Sequence, residues 1–370
     1  MRFLFIIADL GPNGVTYSRL RYAGELARRG HDITILALVK GETKNIPAGV
    51  GFEILDLSAN RLRSVIQQIK SALRLRRWYK KAAAIQPFDF VSSSLTPADR
   101  VVARAGIVNA HHWIHIATTE LIAGVSGQRK RQRRARLLRA IYHGKPIIGV
   151  SQGVIDDLAK LGAVPSKSTL IHNGYDVDHI RALASQLPAD LPSDPYYIHV
   201  GRLAAAKRHD ILFEALRQSG SGRKLLLLTD KPLDAIELAK RYALDEQVVA
   251  FDFRDNPFAY MAKAEALLLS SDLEGFPNVL VESLIAGTPV ISTDCRYGPA
   301  EILKGKYSQW LSATGDAKAL SNQIRKFETA PYEIEPWLYE RFSLAGSVDQ
   351  LEALARSPQR PAVGRFHLWL

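Results

Sequence analysis

Two glutamates eight residues apart, Glu274 and Glu282, bracket the segment Gly275-Phe276-Pro277-Asn278-Val279 in the second half of this 370-residue chain. Proline suits the first turn of a helix, where its missing N–H is not needed, so the pattern predicts a helix that starts near Pro277 with Glu274 in the loop before it. The backbone N–H groups of Gly275, Phe276, Asn278 and Val279 then face a cleft and offer an anion site suited to a diphosphate. A carboxylate beside such a site makes sense if Glu274 accepts hydrogen bonds from sugar hydroxyls. Glu282, further along the helix, is spaced to reach the two hydroxyls of a ribose. Taken singly, Glu274 is equally a carboxylate drawn to a helix start and Glu282 an ordinary helix-face residue. Their grouping is what points to a ligand.

A second element, His199-Val-Gly201-Arg202-Leu-Ala-Ala-Ala-Lys207, follows an apolar strand-like run. Gly201 permits a tight turn at the strand end, and Arg202 and Lys207 are spaced to converge at the mouth of the cleft. A departing nucleoside diphosphate gains negative charge as its bond to a sugar breaks. Two fixed cations there stabilise the transition state more than the ground state, the work Mg²⁺ does elsewhere.

The elements that must hold these residues alternate between strand and helix. Phe3–Ala8 reads as strand, Ser18–Arg29 as helix ending at Gly30, and Asp32–Val39 as strand, a βαβ unit and so a parallel sheet. Further strand-like runs come at Phe88–Ser93, Ile107–Ile116 and Pro146–Val150, the last leading into a helix over Gly153–Leu161. The proline-rich polar stretch 187–195 reads as a linker. After it the alternation restarts, with strands at Tyr196–Val200, Lys224–Leu228, Val248–Asp252, Ala266–Ser270 and Pro289–Ser292, and helices at His209–Arg217, Leu233–Tyr242 and Asn278–Ala286. The expectation is an α/β protein with two Rossmann-like, doubly wound parallel sheets facing a cleft. The expected divisions are 1–187, 188–338, and a helix over Tyr339–Leu354 within 339–370 that returns to the first domain.

Charge is unevenly distributed. Residues 1–185 carry 28 Lys and Arg against 13 Asp and Glu, whereas residues 186–370 carry 21 against 24. The excess lies in two runs without an acid. One holds Arg61, Arg63, Lys70, Arg74, Arg76, Arg77, Lys80 and Lys81; the other holds Arg129, Lys130, Arg131, Arg133, Arg134, Arg136 and Arg139. In the first run Leu62, Val65, Ile66, Ile69, Leu73 and Leu75 recur at roughly helical spacing, giving a basic amphipathic helix able to lie on an anionic bilayer. Nucleic acid is not expected as a partner, because no aromatic-rich binding strand, zinc finger or helix-turn-helix pattern accompanies the charge. The opening apolar run is far too short to span a membrane and lacks a secretory cleavage site. The single cysteine, Cys295, excludes an intramolecular disulfide and suits a reducing compartment. The expected location is the cytoplasm, peripheral on the inner face of the cytoplasmic membrane.

The Glu274-x7-Glu282 spacing, Gly201-Arg202-Leu203 with Lys207, Asn256-Pro257, and Ser292-Thr-Asp-Cys-Arg-Tyr-Gly298-Pro-Ala-Glu301 together resemble glycosyltransferase family 4. Within that family the likeness is to bacterial enzymes that build lipopolysaccharide, capsule and other surface glycans. Gly11-Pro-Asn-Gly14, Gly149-Val-Ser151-Gln-Gly153 and Ile171-His-Asn173-Gly-Tyr-Asp176 extend it to the first half. The resemblance implies the GT-B fold, a nucleotide-diphosphate sugar donor such as a UDP-sugar, retention at the anomeric carbon, and no metal or other cofactor. It assigns Arg202 and Lys207 to the diphosphate, Glu282 to the ribose, Glu274 to the donor sugar, and the backbone at Phe253 and Arg254 to the base. Gly14 would let the first loop approach the phosphates. A histidine at the end of a strand near the donor sugar corresponds to one of His111, His112 and His115, of which His115, after Trp113-Ile114, is chosen. A lipid-linked or oligosaccharide acceptor and an anionic membrane would meet the basic side at Arg74, Arg76, Arg77, Lys80, Lys81, Arg133 and Arg134. Two departures, Asn13 where the family often has a first glycine and Leu228-Thr-Asp230-Lys in place of a glycine-rich turn, bear on base and sugar specificity.

Rival readings exist for several segments. Asp176-Val-Asp178 could be a metal-binding pair, but it precedes the linker and does not follow a nucleotide-binding strand. His111 and His115 could ligate a metal, but their flanks read as strand and no acid adjoins them. A dinucleotide-dependent oxidoreductase lacks its G-x-G-x-x-G run here. A non-catalytic binder of anionic polymers or membrane surfaces on the same scaffold would explain the basic runs but leave Glu274, Glu282, Arg202 and Lys207 without a role.

Overall fold

The computed structural model describes residues 1–11, 14–40, 46–57, 65–357 and 362–366. Pro12, Asn13, Arg61, Leu62 and Arg63 lie outside these residues. The chain forms two compact units, Met1–Gly174 with Leu344–Leu370, and Tyr175–Ser343.

The first unit opens with β1 (Arg2–Ile7), α1 (Gly14–Arg28), β2 (Asp32–Ala37), β3 (Val50–Ile54), α2 (Val65–Ile85), β4 (Phe90–Ser94) and α3 (Thr96–Ala105). It continues with β5 (Ile107–Val108), β6 (His111–Ile114), α4 (Thr118–Ala123), α5 (Gln128–Tyr142), β7 (Pro146–Gly149), α6 (Gln152–Lys160) and β8 (Lys167–Leu170). The second unit holds α7 (Val177–Ala184), β9 (Tyr196–Val200), α8 (His209–Ser219), β10 (Lys224–Leu228), α9 (Pro232–Lys240), β11 (Val248–Phe251), α10 (Pro257–Met261) and β12 (Ala266–Leu269). It ends with α11 (Asn278–Ala286), β13 (Val290–Thr293), α12 (Pro299–Ile302), β14 (Leu311–Ser312), α13 (Ala317–Thr329) and α14 (Trp337–Glu340). The chain then returns to the first unit with α15 (Leu344–Ala355) and β15 (Ala362–Val363).

Among the described residues the first unit contains a sheet in the order β3-β2-β1-β4-β6-β7-β8, and the second a sheet in the order β11-β10-β9-β12-β13-β14. Every pairing in both is parallel. Helices cover both faces of such sheets, which is why β1 reads Phe-Leu-Phe-Ile-Ile after Arg2 and every one of those side chains is buried. In each sheet the order reverses beside one strand, between β1 and β4 in the first and between β9 and β12 in the second. Ligands of such sheets bind at that reversal, outside the carboxyl ends of the strands.

Long-range packing differs from the expectations in four places. The expected strand 107–116 is broken at Asn109, whose φ of 61° cannot continue a strand, and β5 pairs instead with β15, antiparallel. The units part after Gly174 and not after residue 187, because α7 packs on α10 and α11 and Asn256 Nδ2 donates to both Leu183 O and Gln186 Oε1 at 2.9 Å. The linker-like stretch is thus part of the second unit, where Arg254 Nη2 donates to Asp190 Oδ2 at 2.6 Å. The expected helix over 339–354 is two helices in different units. α15 is fastened to the end of α1 by the residue that follows that helix, Arg29, whose Nη1 lies 2.6 Å from Asp349 Oδ1 and 3.0 Å from Glu352 Oε1.

The fourth difference concerns the basic helix α2. Ala72, Leu75 and Tyr79 enter the core cluster with Val101, Val102 and Ala105 of α3. Arg76, assigned in the sequence to the membrane side, turns inward and donates from Nη1 to Ala105 O and Gly364 O, each at 2.8 Å. It satisfies the Ala105 carbonyl at the end of α3 and the Gly364 carbonyl after β15, and so cannot serve a membrane face.

Candidate active site

In the second unit the Gly201–Lys207 segment leaves β9, and the segment carrying Glu274 leaves β12, so both stand at the carboxyl edge where the strand order reverses. Lys207 Nζ lies 2.6 Å from Glu274 Oε1, with the two side chains 23% and 12% exposed. Ser271 Oγ donates to the same Oε1 at 2.7 Å. The two loops are also tied through their backbones. Asp272 N donates to Ala206 O at 2.9 Å, and Ser270 Oγ donates to Lys207 O at 2.7 Å. Arg208 adds a further tie, with Nη1 2.7 Å from Asp272 Oδ2. A lysine ammonium has three N–H donors, so Lys207 can hold Glu274 and a phosphate oxygen together.

Arg202 is exposed and, among the described residues, has no ion-pair partner. Its loop is held by Asp230, whose Oδ1 accepts from Leu203 N at 2.8 Å; that bond is the main cause holding the Asp230 carboxyl below its usual range. Asp230 is the residue that departs from the family's glycine-rich turn, and this bond is its visible role. Beneath the loop His199 and His209 meet edge to face, 4.8 Å between centroids. Burial keeps both imidazoles neutral, that of His209 at about 4, and Lys207's charge acts in the same direction. Cys295 is buried, and burial first, then the charge of Glu274, pushes its thiol up, so it stays protonated beside the site. The sequence does not mark Asp230 or Cys295 as site residues, because their roles depend on strands that are distant along the chain; Ser271 is three residues before Glu274, so its Ser-x-x-Glu spacing is the signal that could find it.

The helix after Glu274 is α11, spanning Asn278–Ala286 with Pro277 as its cap residue. Pro277 has no polar side chain, so it offers no acceptor to the first N–H groups. Phe276 is buried and packs edge to face on Phe342 at 5.4 Å, while Asn278 Oδ1 accepts from Tyr175 Oη at 2.6 Å. Gly275 and Val279 are part-buried on either side, and Glu282 is part-buried on α11. Phe253 is 49% exposed. Arg254 stands beside it with its guanidinium 4.6 Å from the Phe251 ring centre. Asp176 is the cap residue of α7, its Oδ1 accepting from His179 N at 3.0 Å, a local structural role for the first acid of the Asp-x-Asp pattern. Among the described residues no three His, Cys, Asp or Glu side chains group to hold a metal ion.

In the first unit Gly14 is the first residue of α1 and exposed. His115 follows β6, its ring stacked on Trp113 at an interplanar angle of 15°, with Nε2 shielded from solvent. Burial first, and then the nearby charge of Arg19, keeps this imidazole neutral. His112 is absorbed into the core: its Nδ1 lies 2.8 Å from Ser93 Oγ and 3.3 Å from Asp99 Oδ1. His111 is buried and stacks on Phe90. Of the basic residues, Arg74, Arg77, Lys80, Lys81 and Arg133 are exposed and Arg134 is part-buried. No helix among the described residues is long and apolar enough to cross a membrane.

The family model for Glycosyltransferase Family 4 matches residues 12–179, and that for Glycosyl transferases group 1 matches residues 188–343. The two matches run in order along nearly the whole chain, and the chain belongs to the family 4 glycosyltransferases. Over 160 residues it is 33% identical to the N-acetylgalactosamine-N,N'-diacetylbacillosaminyl-diphospho-undecaprenol 4-alpha-N-acetylgalactosaminyltransferase of Campylobacter jejuni, covering 42% of this chain and 43% of that protein. Over 207 residues it is 28% identical to the lipopolysaccharide 1,6-galactosyltransferase of Escherichia coli K12, covering 53% and 55%. The chain thus spans about half the length of these relatives. Among solved structures, Anabaena Alr3699/HepE in complex with UDP superposes with a TM-score of 0.76 at 18% identity, over 96% of this chain and 100% of that one. That likeness concerns the fold, which is of the GT-B type.

Proposed function

We propose that this protein is a retaining, metal-independent hexosyltransferase that moves a hexose or N-acetylhexosamine from a UDP-linked donor to a lipid-linked or oligosaccharide acceptor during assembly of a surface glycan. The observation that carries this reading is the Lys207–Glu274 pair at the strand-order reversal of the second sheet, 2.6 Å apart on two loops tied to each other. Lys207 and Arg202 neutralise the diphosphate as it leaves. Glu274, with both its observed bonds on Oε1, turns Oε2 to the donor's hydroxyls, and Glu282 takes the ribose. The bond from the anomeric carbon to the phosphate oxygen breaks, the acceptor oxygen bonds to that carbon on the same face, and the acceptor's proton passes to the departing phosphate. No separate protein base is required, and the neutral His115 is a hydrogen-bond partner of the sugar.

UDP as the nucleotide is supported by the UDP complex of HepE. A surface-glycan setting is supported by the lipopolysaccharide and diphospho-undecaprenol substrates in the relatives' names. The test is a panel of nucleotide-sugars scored by release of nucleotide in EDTA. Turnover of one UDP-sugar in EDTA is expected; activity that vanishes in EDTA and returns with Mn²⁺ would sink the mechanism.

Attachment to an anionic membrane surface belongs to the same reading. Ile66 and Leu73 are 68% and 38% exposed, unusual for isoleucine and leucine, and Lys70, Arg74, Arg77, Lys80 and Lys81 are exposed around them on α2. At the helical repeat these seven fall within an arc of about 120°. With about 1 kcal/mol for each basic side chain near an anionic leaflet, four or five suffice for reversible docking. Charge reversal of Arg74, Arg77 and Lys81 is expected to release the protein from vesicles containing anionic lipid, and sedimentation equal to that of the unaltered chain would remove this part of the proposal.

A further inference from the structure

Among the described residues, one cation buried in the first unit has no counter-ion. Arg19, on α1, is 0% exposed, with Cζ 3.3 Å from the centre of the Trp113 ring and 4.7 Å from that of Tyr22. Its hydrogen bond runs from Nη2 to Ser18 Oγ at 3.1 Å. Nε and Nη1 are shielded from water and have no partner, and among the described residues no carboxylate pairs with the guanidinium. Burial lowers its pKa to about 9. An unpaired buried charge is unfavourable, and stacking on aromatic faces offsets only part of that. His115 stacks on the same Trp113 ring, centroids 6.2 Å apart, and its Nε2 is likewise shielded and without a partner. Ser18 Oγ donates in turn to Asn173 Oδ1 at 3.4 Å. His115 follows β6 and Asn173 follows β8, so both stand at the carboxyl edge of one parallel sheet, where ligands bind, and Arg19, on the helix that follows β1, packs against Phe5 and Trp113 of two of its strands.

We propose that Arg19 and His115 form a seat for an oxyanion, a carboxylate or phosphate group carried by the sugar substrate that the first unit binds. This rests on the transferase reading and deepens it: the seat is separate from the Lys207 and Arg202 cations, and it makes the bound sugar acidic. Guanidinium and neutral imidazole each donate N–H groups to such an oxygen, and a charge that has no partner within the protein forms a charge-assisted pair with the ligand.

The test uses the full chain, with ligand-observed NMR on D-glucuronate, D-glucose 6-phosphate and neutral D-glucose at equal ionic strength. One of the two acids is expected to bind roughly tenfold more tightly than glucose, the scale of one charge-assisted hydrogen bond, and Arg19→Met is expected to abolish that preference. Which acid is preferred identifies carboxylate or phosphate. Equal binding of all three sugars, or a preference that survives Arg19→Met, overturns the seat. Without ligand, Arg19→Met should melt no lower than the unaltered chain, since a buried charge is removed and its volume kept; a fall of several degrees would make Arg19 a structural pillar and overturn the proposal. UDP should bind both forms equally. Weaker UDP binding by Arg19→Met would mean that the donor's own diphosphate fills the seat, again overturning it. Failure of UDP to bind either form counts against the transferase reading, and the sugar comparison still decides the seat.

Discussion

Lys207→Ala is expected to slow sugar transfer by roughly 10²–10³-fold, the usual cost of removing one preorganised group that stabilises developing negative charge. Lys207 is placed for this by elements that do not change on substitution. β9 ends at Val200, a short turn delivers the lysine, and Ser270 and Asp272 bind the backbone of that turn. The variant should therefore keep its fold. It would leave Glu274, which is 12% exposed, without the cation that faces it at 2.6 Å. A negative charge then stands unbalanced beside the site for a diphosphate, so UDP binding should weaken along with the rate. Lys207→Arg should recover part of both, because the charge returns while the fork geometry of a guanidinium does not reproduce a compact ammonium. The measurement is kcat and UDP affinity for each variant, together with Glu274→Gln and the double variant. Strong non-additivity is expected because the two residues act as one unit. A Lys207→Ala enzyme with unaltered kcat would remove the proposed role of the pair.

Gly298→Ala is the second large effect, and it reaches the site through the backbone. Gly298 has φ 108° and ψ −53°, conformations that a residue with a Cβ adopts only under strain, and its added Cβ would stand 2.3 Å from Pro277 Cδ and 3.2 Å from Phe276 Cα. Strain and overlap together should cost about 3 kcal/mol, a fall of roughly 10 °C in the melting of this unit. The atoms that must give way belong to the turn between Glu274 and α11, so activity should drop even at temperatures where the variant remains folded. Gly287→Ala is the control. Gly287 has φ 93° with nothing within 4 Å of the added Cβ, so it carries the backbone strain without the overlap, and about 1 kcal/mol is expected. Equal melting temperatures for the two variants would show that the close approach to Pro277 has no energetic weight.

Much of the second unit was legible in the amino-acid order alone. The strands at Tyr196–Val200 and Lys224–Leu228 and the helix at Asn278–Ala286 have the ends that apolar runs and a flanking glycine or proline predicted. So was the two-sheet parallel architecture, because alternating buried strands and covering helices leave a local pattern that repeats within a few residues. Other features were not legible. Asn109 breaks a run that looked continuous, and Arg76 looks like one more cation on a basic helix until Ala105 and Gly364 come near it.

By itself, then, the sequence determined the class of fold, the elements, and which residue types were available for binding a diphosphate and sugar hydroxyls. Only the tertiary structure decided that Lys207 and not Arg202 pairs with Glu274, that the chain crosses between units at 174/175 and 343/344, and that Arg19 lies buried against Trp113. The reason is the range of the forces involved. Backbone preference and hydrophobic period act over a turn or two and are written in neighbouring residues, whereas the partner of a charge is set by which distant strands the sheet brings side by side.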